Sequence, residues 1–310
     1  TKGHRGNDVC FFSRQGKALN RIHRVGNGPG EYKDIGSIDV NPANGELYLK
    51  EMNRQQIHVY SLDGKFKHSF TFPEGKRMSR MCLFSPDYLI AEQESKVPDD
   101  QDANFYPYLL VSTRDGHLDS LDYVQKRNIL VKLIVNAENH SYAYLLEPSL
   151  IRNGSRFYIG NPDSDTLFAM NPDRTLEPLL VRTPSHSEEG NKYGLFLRGA
   201  AGAYFFLTKQ PMEVPMNSIE SLDLKSEEWL YDCRTQEVCR YLLKNKDDAS
   251  KRVEGIMFFC YHEDCGLAVL KSEDLMDAYE AGQLSGELKE IAAGLKADDN
   301  PVLMLIHFKK

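Results

Sequence analysis

Glu46-Leu47-Tyr48-Leu49-Lys50, Gln56-Ile57-His58-Val59-Tyr60, Ser61-Leu62-Asp63-Gly64, Lys65-Phe66-Lys67-His68-Ser69-Phe70-Thr71-Phe72: this stretch decides the fold. Apolar and polar residues alternate in Leu47–Lys50 and Ile57–Tyr60, the period of a strand whose side chains point to opposite faces. Asp63-Gly64 is a strong hairpin signal, because tight turns between antiparallel strands need backbone with positive φ. Upstream, Ile35–Val40 is a further extended run, closed by Asn41-Pro42-Ala43-Asn44-Gly45. Four short strands joined by tight turns predict one four-stranded antiparallel meander over 35–72.

The same turn recurs along the chain. Ser13-Arg14-Gln15-Gly16-Lys17, Thr113-Arg114-Asp115-Gly116-His117 and Asn171-Pro172-Asp173-Arg174-Thr175 each sit between two extended runs. The copies lie about 50 residues apart, close to the roughly 40–50 residues of one propeller blade. Working outward, Val9–Phe12 and Ala18–Val25 make a partial first unit. Residues 81–93 and 108–124 make a third, Leu150–Leu180 a fourth, Leu195–Lys209 with Glu227–Leu243 a fifth, and Ile256–Leu270 opens a sixth. Ser272–Tyr279 and Ser285–Leu295 predict two short helices, the first N-capped by Ser272, the second with Leu288, Ile291, Ala292 and Leu295 on one face. Pro301–Lys310 predicts a last strand, suited to completing a blade begun at the other end of the chain. The sequence therefore predicts an all-β chain: a six-bladed β-propeller of four-stranded antiparallel blades with a short helical insertion before the last strand. No compositional break divides it, so 1–310 reads as a single propeller domain, its first blade truncated at the N-terminus.

Composition narrows the function. The chain has 310 residues, 41% hydrophobic and 10% aromatic, with a formal charge of −7. That suits a packed domain and argues against nucleic acid as a partner, which demands a basic face. No apolar run approaches the ~20 residues of a membrane-spanning helix. The chain opens on Thr1 and a polar stretch, which predicts a leader segment upstream. Six cysteines are too few for a disulfide scaffold. Cys233 with Cys239, and Cys260 with Cys265, flank hairpin turns, and either bridge across the hairpin or stay as half-buried thiols.

Ile22-His23-Arg24-Val25-Gly26-Asn27-Gly28-Pro29-Gly30-Glu31-Tyr32, together with Val59-Tyr60-Ser61-Leu62-Asp63-Gly64-Lys65-Phe66, resembles the six-bladed β-propeller proteins of Bacteroides-type bacteria, which are NHL-like. Asp163-Ser164-Asp165-Thr166-Leu167-Phe168 with Pro178 resembles their mid-chain blade, and Leu288-Lys289-Glu290 through Asp298-Asp299-Asn300-Pro301-Val302-Leu303 their ending. The resemblance implies export to the periplasm or cell surface, in many members as a lipoprotein anchored through the N-terminus. It implies little chemistry, since the activity of most members is unassigned. It also implies that residues forming the first two strands precede Thr1.

The candidate sites are loops. Gly26–Tyr32 either exposes backbone N–H groups to an anion or serves as a crossover in which glycines supply positive φ and Glu31 and Tyr32 lock neighbouring backbone. Propellers bind ligands at the mouth of a central channel. Arg24, Asn27, Glu31, Tyr32, Asn53, Arg54, Arg152 and Arg198 are the candidate contacts there, for a glycan or a cell-envelope protein; solvated surface is the alternative for each arginine and amide. Asn161-Pro162-Asp163-Ser164-Asp165 alternates oxygen ligands as a calcium loop does, with Asp163 and Asp165 as ligands, but lacks the glycine and distal glutamate of an EF-hand, and an ordinary Asx-turn is the favoured reading. Otherwise no cofactor is predicted. Tyr142, Tyr144, Tyr193 and Phe196 either stack on a sugar or pack in the blades. The nine histidines are scattered, and no nucleophile elbow occurs. A binding or interaction module is the favoured reading. The alternatives are a metal-assisted hydrolase or lyase on a carbohydrate-like small molecule, built from His and acids of several blades, and a scaffold using an exposed apolar patch at Leu288 and Ile291.

Overall fold

Strand alternation and the recurring turns set the architecture, and the structure is a computed structural model. It describes residues 7–13, 15–52, 54–73, 76–93, 106–121, 130–136, 141–146, 150–160, 164–185, 188, 193–215, 226–249 and 265–308. Two units follow one another along the chain, Thr1–Asn128 and Ile129–Lys310.

In the first unit, β1 (Val9–Phe12) pairs with β2 (Ala18–Ile22). β3 (Ile35–Asn41), β4 (Glu46–Glu51), β5 (Gln56–Ser61) and β6 (Phe66–Thr71) form one antiparallel meander. β7 (Met78–Ser85), β8 (Tyr88–Gln93), β9 (Tyr108–Ser112) and β10 (Leu118–Ser120) form the next. The middle strands are covered on both faces. Leu47, Leu49 and Tyr60 pack with Val9, Ile22, Tyr32 and Ile35. Tyr48, Ile57 and Val59, on the opposite face, pack with Phe70, Met81, Leu83, Leu89, Leu109 and Val111 of the following sheet. Burial falls away outward: β4 and β5 are almost wholly buried, while β6 alternates with solvent. β3 packs beside β7, so the first strands of successive sheets meet. Sheets that share an inner strand contact and splay outward are the blades of a β-propeller.

The second unit repeats the pattern. It opens with β11 (Leu130–Asn136) and β12 (Ser141–Leu146), an antiparallel pair. β13 (Leu150–Asn153), β14 (Arg156–Ile159), β15 (Thr166–Met170) and β16 (Leu176–Val181) form a complete blade. In the next blade β17 (Tyr193–Ala201) and β18 (Tyr204–Pro211) are followed by β19 (Glu213–Pro215), β20 (Glu227–Asp232) and β21 (Glu237–Arg240); its order is β17-β18-β20-β21. β13 packs beside β17. Ile151, Tyr158 and Leu167 interdigitate with Leu197, Ala200, Phe205 and Leu207, and Tyr158 meets Phe205 edge-on at 4.9 Å. β19 leaves this blade to pair in parallel with β11, Lys132 opposite Glu213. β11, β12 and β19 are strands the turn pattern did not predict; a short edge strand tolerates Pro215 because an edge has no inner ladder bond to lose.

β22 (Cys265–Leu270) pairs with β23 (Val302–His307). Between them lie α1 (Ser272–Glu280) and α2 (Gly286–Ala292). Ser272 is not the cap expected: it is the buried first helical residue, and its hydroxyl donates to Asp299 O at 3.1 Å and Asn300 O at 2.9 Å. α2 is shorter than predicted. Leu288 and Ala292 are buried against Leu275, Ala278 and Leu284, with Leu270 and Val302 packed alongside. The exposed apolar patch expected at Leu288 is thus consumed by helix packing, and only Ile291 of that pair is exposed.

The recurring turns join the third and fourth strands of every complete blade, and in each a residue at the tip takes positive φ. Gly64 (φ 87°), Gly116 (75°) and Arg174 (74°) occupy the same place. The blade bearing Cys233 uses Gln236 (φ 59°) there, its N–H donating to Asp232 O at 2.8 Å. An L residue in this region costs roughly 1–2 kcal/mol, and a glycine returns about 0.5–1 kcal/mol of that as unfolded-chain entropy. Gln236→Gly is therefore expected to raise stability by about 0.5–1 kcal/mol, read as a higher denaturant midpoint at unchanged slope. An unchanged or lowered midpoint would mean the turn is not strained.

Candidate functional site

Where the core between the two blades of the second unit thins toward their outer strands, a cavity of about 570 Å³ opens. Its walls are aliphatic and aromatic: Leu167 and Leu180 from one blade, Leu195, Leu207, Trp229 and Tyr231 from the other. Val181 (69% exposed), Val238 (57%) and Tyr193 (44%) also line it. Apolar side chains this exposed around a concavity are unusual for outer strands and mark a contact surface.

Cations edge the apolar walls. Arg182 follows β16, and its backbone N–H donates to Asp165 O at 2.6 Å. Its guanidinium Nη2 donates to Tyr193 O at 3.1 Å. Its Nη1 is shut off from solvent yet has no hydrogen-bond partner among the described residues. Lys209 Nζ sits 4.8 Å over the Tyr193 ring. Arg240 lies 5.5 Å over the Trp229 ring and pairs with Glu227 at 2.7 Å, which holds that carboxyl below the usual range. Asp165 is the acid of the lining; its Oδ2 accepts from Ser185 Oγ at 2.6 Å. Buried donors are normally satisfied, so the Arg182 Nη1 calls for an acceptor.

The residues picked out in the sequence fall into two groups. In the first unit, Arg24, Asn27, Glu31, Tyr32 and Arg54 lie in one loop cluster. The glycine run is a tied crossover: Gly26 N donates to Tyr32 O at 3.0 Å, Tyr32 N to Arg24 O at 2.9 Å, and Gly28 N to Glu31 Oε2 at 2.8 Å. Tyr32 has no exposed surface, and its hydroxyl donates to Asn7 O at 2.6 Å and Ile22 O at 3.1 Å. Burial raises its pKa. Arg54 donates to Asn27 Oδ1. Asn53 lies outside the described residues. In the second unit, Arg152 donates to Gly154 O at 2.9 Å. Arg198 donates to Thr208 Oγ1 and Gln210 Oε1, both at 3.1 Å, over the Phe196 ring. Phe196 is core, wholly buried, whereas Tyr193 belongs to the cavity.

Cys233 and Cys239 are free thiols. Register explains it: Cys239 stands opposite Leu230, and Cys233 lies in the turn beyond the Asp232–Glu237 pair. Burial raises the Cys233 pKa. Cys265 is a buried free thiol 3.1 Å from His307 Nδ1, and Cys260 lies outside the described residues. So does Asp163, leaving Asp165 as the described acid of that loop. Among the described residues no group of His, Cys, Asp and Glu is placed to hold a metal. The side chains of Tyr142 and Tyr144 are outside the described set.

A buried polar pair departs from the sequence expectation, in which His58 is a half-exposed strand residue and Glu51 is not singled out. His58 and Glu51 are 2% and 1% exposed, 3.5 Å apart, beside Tyr32, Tyr60 and Phe66. Glu51 Oε1 accepts from Lys33 N at 2.7 Å. Burial pushes the His58 pKa down, against the pull of Glu51. Both lie on strands that read as alternating core, where polar residues at inward positions were the available signal.

A family described as a domain of unknown function (DUF4934) matches residues 2–307. No curated protein sequence matches the chain. Among solved structures, a Bacteroides fragilis protein described as exported is similar with 16% identity, covering 98% of this chain and 85% of its own, TM-score 0.64. A member of the duf4221 family from Bacteroides vulgatus is 10% identical over 74% of this chain and 73% of its own, TM-score 0.46. The WD40 repeats of RRP9 are 10% identical over 97% and 88%, TM-score 0.46.

Proposed function

Given that the chain belongs to the DUF4934 family, we propose that it is an exported β-propeller binding module whose ligand enters the cavity between the two complete blades of the second unit. The observation that carries this is the cavity itself: about 570 Å³, within the roughly 300–1,000 Å³ of small-molecule sites, with a mainly apolar lining that also holds the cations Arg182 and Lys209. The loop cluster of Arg24, Glu31 and Arg54 supports recognition at a channel mouth less well, because Glu31 and Arg54 are engaged inside the cluster. Export is supported by the description of the B. fragilis neighbour. No helix among the described residues is long and apolar enough to cross a membrane.

Trp229 is the chain's single tryptophan and lines the cavity, so it reports on the site directly. A panel of saccharides and amphiphiles is screened by thermal shift, and each hit is titrated by tryptophan emission. A ligand of this site is expected to shift the emission saturably and to bind at least about tenfold more weakly to Leu180→Phe, which fills the cavity. A ligand bound equally well by that variant, with emission unmoved, would place recognition elsewhere.

A further inference from the structure

We infer that the cavity of the second unit is built for an amphiphilic carboxylate, an aliphatic body with one anionic head, rather than for a neutral glycan. The inference rests on the reading of this cavity as the binding site. A saccharide presents hydroxyls on every edge, and each one buried without a partner costs free energy. The lining is mainly apolar, its aliphatic part including Leu167, Leu180, Leu195, Leu207 and Val238; the neutral polar side-chain groups among it are the hydroxyls of Ser164, Thr166, Thr183 and the tyrosines and the Trp229 indole N–H, and Asp165 is engaged with Ser185. An alkyl chain loses nothing against such walls and gains the burial of its methylenes.

The head group is set by Arg182 and Lys209. Nη2 of Arg182 is committed to Tyr193 O, while Nη1 has no hydrogen-bond partner among the described residues and no surface open to the cavity. A ligand oxyanion therefore accepts its charge-assisted bond once the guanidinium turns toward the cavity. Lys209, held over the Tyr193 ring, adds positive charge beside the same tyrosine. Tyr193 thus ties both cations to one end of the cavity, through its carbonyl and through its ring. The aliphatic remainder of the lining is left for the body of the ligand.

The test uses the full chain and three probes below their self-association limits: decanoate, decanol and digalacturonate, each titrated against Trp229 emission. Decanoate is expected to bind saturably and at least about tenfold more tightly than decanol, the scale of one charge-assisted hydrogen bond. Arg182→Met is expected to erase that difference by weakening decanoate alone, and Arg182→Lys to restore part of it. Lys209→Met, which leaves the Arg182–Tyr193 bond in place, is expected to weaken decanoate by a smaller factor. Decanol binding as tightly as decanoate, or decanoate indifferent to Arg182→Met, overturns the anionic head while leaving the cavity as the site. Digalacturonate shifting Trp229 while decanoate does not overturns the aliphatic body. If decanoate binds with emission unmoved and Leu180→Phe leaves its affinity unchanged, the cavity is not the site and both readings fall.

Discussion

Gly30→Ala is expected to destabilise the first unit by about 3 kcal/mol, whereas Gly45→Ala costs about 1 kcal/mol. Both glycines have positive φ, 71° and 63°, so both substitutions carry the backbone cost of an L residue there. They differ in what the new methyl meets. At Gly45 nothing lies within 4 Å; at Gly30 the added carbon falls 2.4 Å from Cγ of Phe66. Phe66 packs at the edge of the Tyr32–Tyr60 core, and Tyr60 O–H donates to Gly30 O at 2.8 Å, so the crossover cannot back away without breaking that bond. Chemical denaturation of the two variants measures the difference. Phe66→Leu in the Gly30→Ala background is expected to recover part of the loss, because it removes the obstructing ring. Equal costs at both positions would show that the crossover is loose and that Gly30 serves only its own φ.

Glu51→Ala is expected to cost about 2 kcal/mol, since it strips the part-buried Lys33 N–H of its acceptor and the buried His58 of its acidic neighbour. Glu51→Gln, which can still accept from Lys33, is expected to cost less. The pH dependence is the sharper readout. Burial depresses the folded-state pKa of His58 below its ordinary 6.5, so the unfolded chain takes up its proton first as pH falls. Stability is then full above about pH 6.5 and is lost as pH drops toward the folded value. Glu51 opposes that depression. Its removal should carry the loss to still lower pH, and His58→Phe should remove this component of the profile altogether. A His58→Phe profile identical to wild type between pH 7 and 5 would mean that the imidazole is hydrated and not held in the core.

Much of the architecture is visible in local patterns. Asp63-Gly64 and Asp115-Gly116 announce their hairpins because a positive φ is a local requirement that glycine meets. Arg174 and Gln236 show that the requirement survives where the glycine does not, and their turns were placed from the flanking strands. The helices were placed too, though the role of Ser272 was misread, because a serine before an apolar run looks the same as a cap or as a first buried residue. β11, β12 and β19 were missed. A parallel pairing between Lys132 and Glu213 is a long-range event that neither segment declares by itself.

The loop cluster and the cavity mark the same divide. The sequence alone determined the glycine-rich crossover, the period of the blades and the polarity of their turns, because each depends on residues a few positions apart. Arg182, Tyr193, Lys209 and Trp229 carry no common motif. They stand together because register sets Leu207 opposite Trp229 and Lys209 opposite Glu227, and because two sheets packed through Leu167 and Leu197 diverge toward their outer strands. Strand propensity is local and can be read in order along a chain. A cavity is the space that packing leaves over, and only the tertiary structure decides where that space falls and which charges face it.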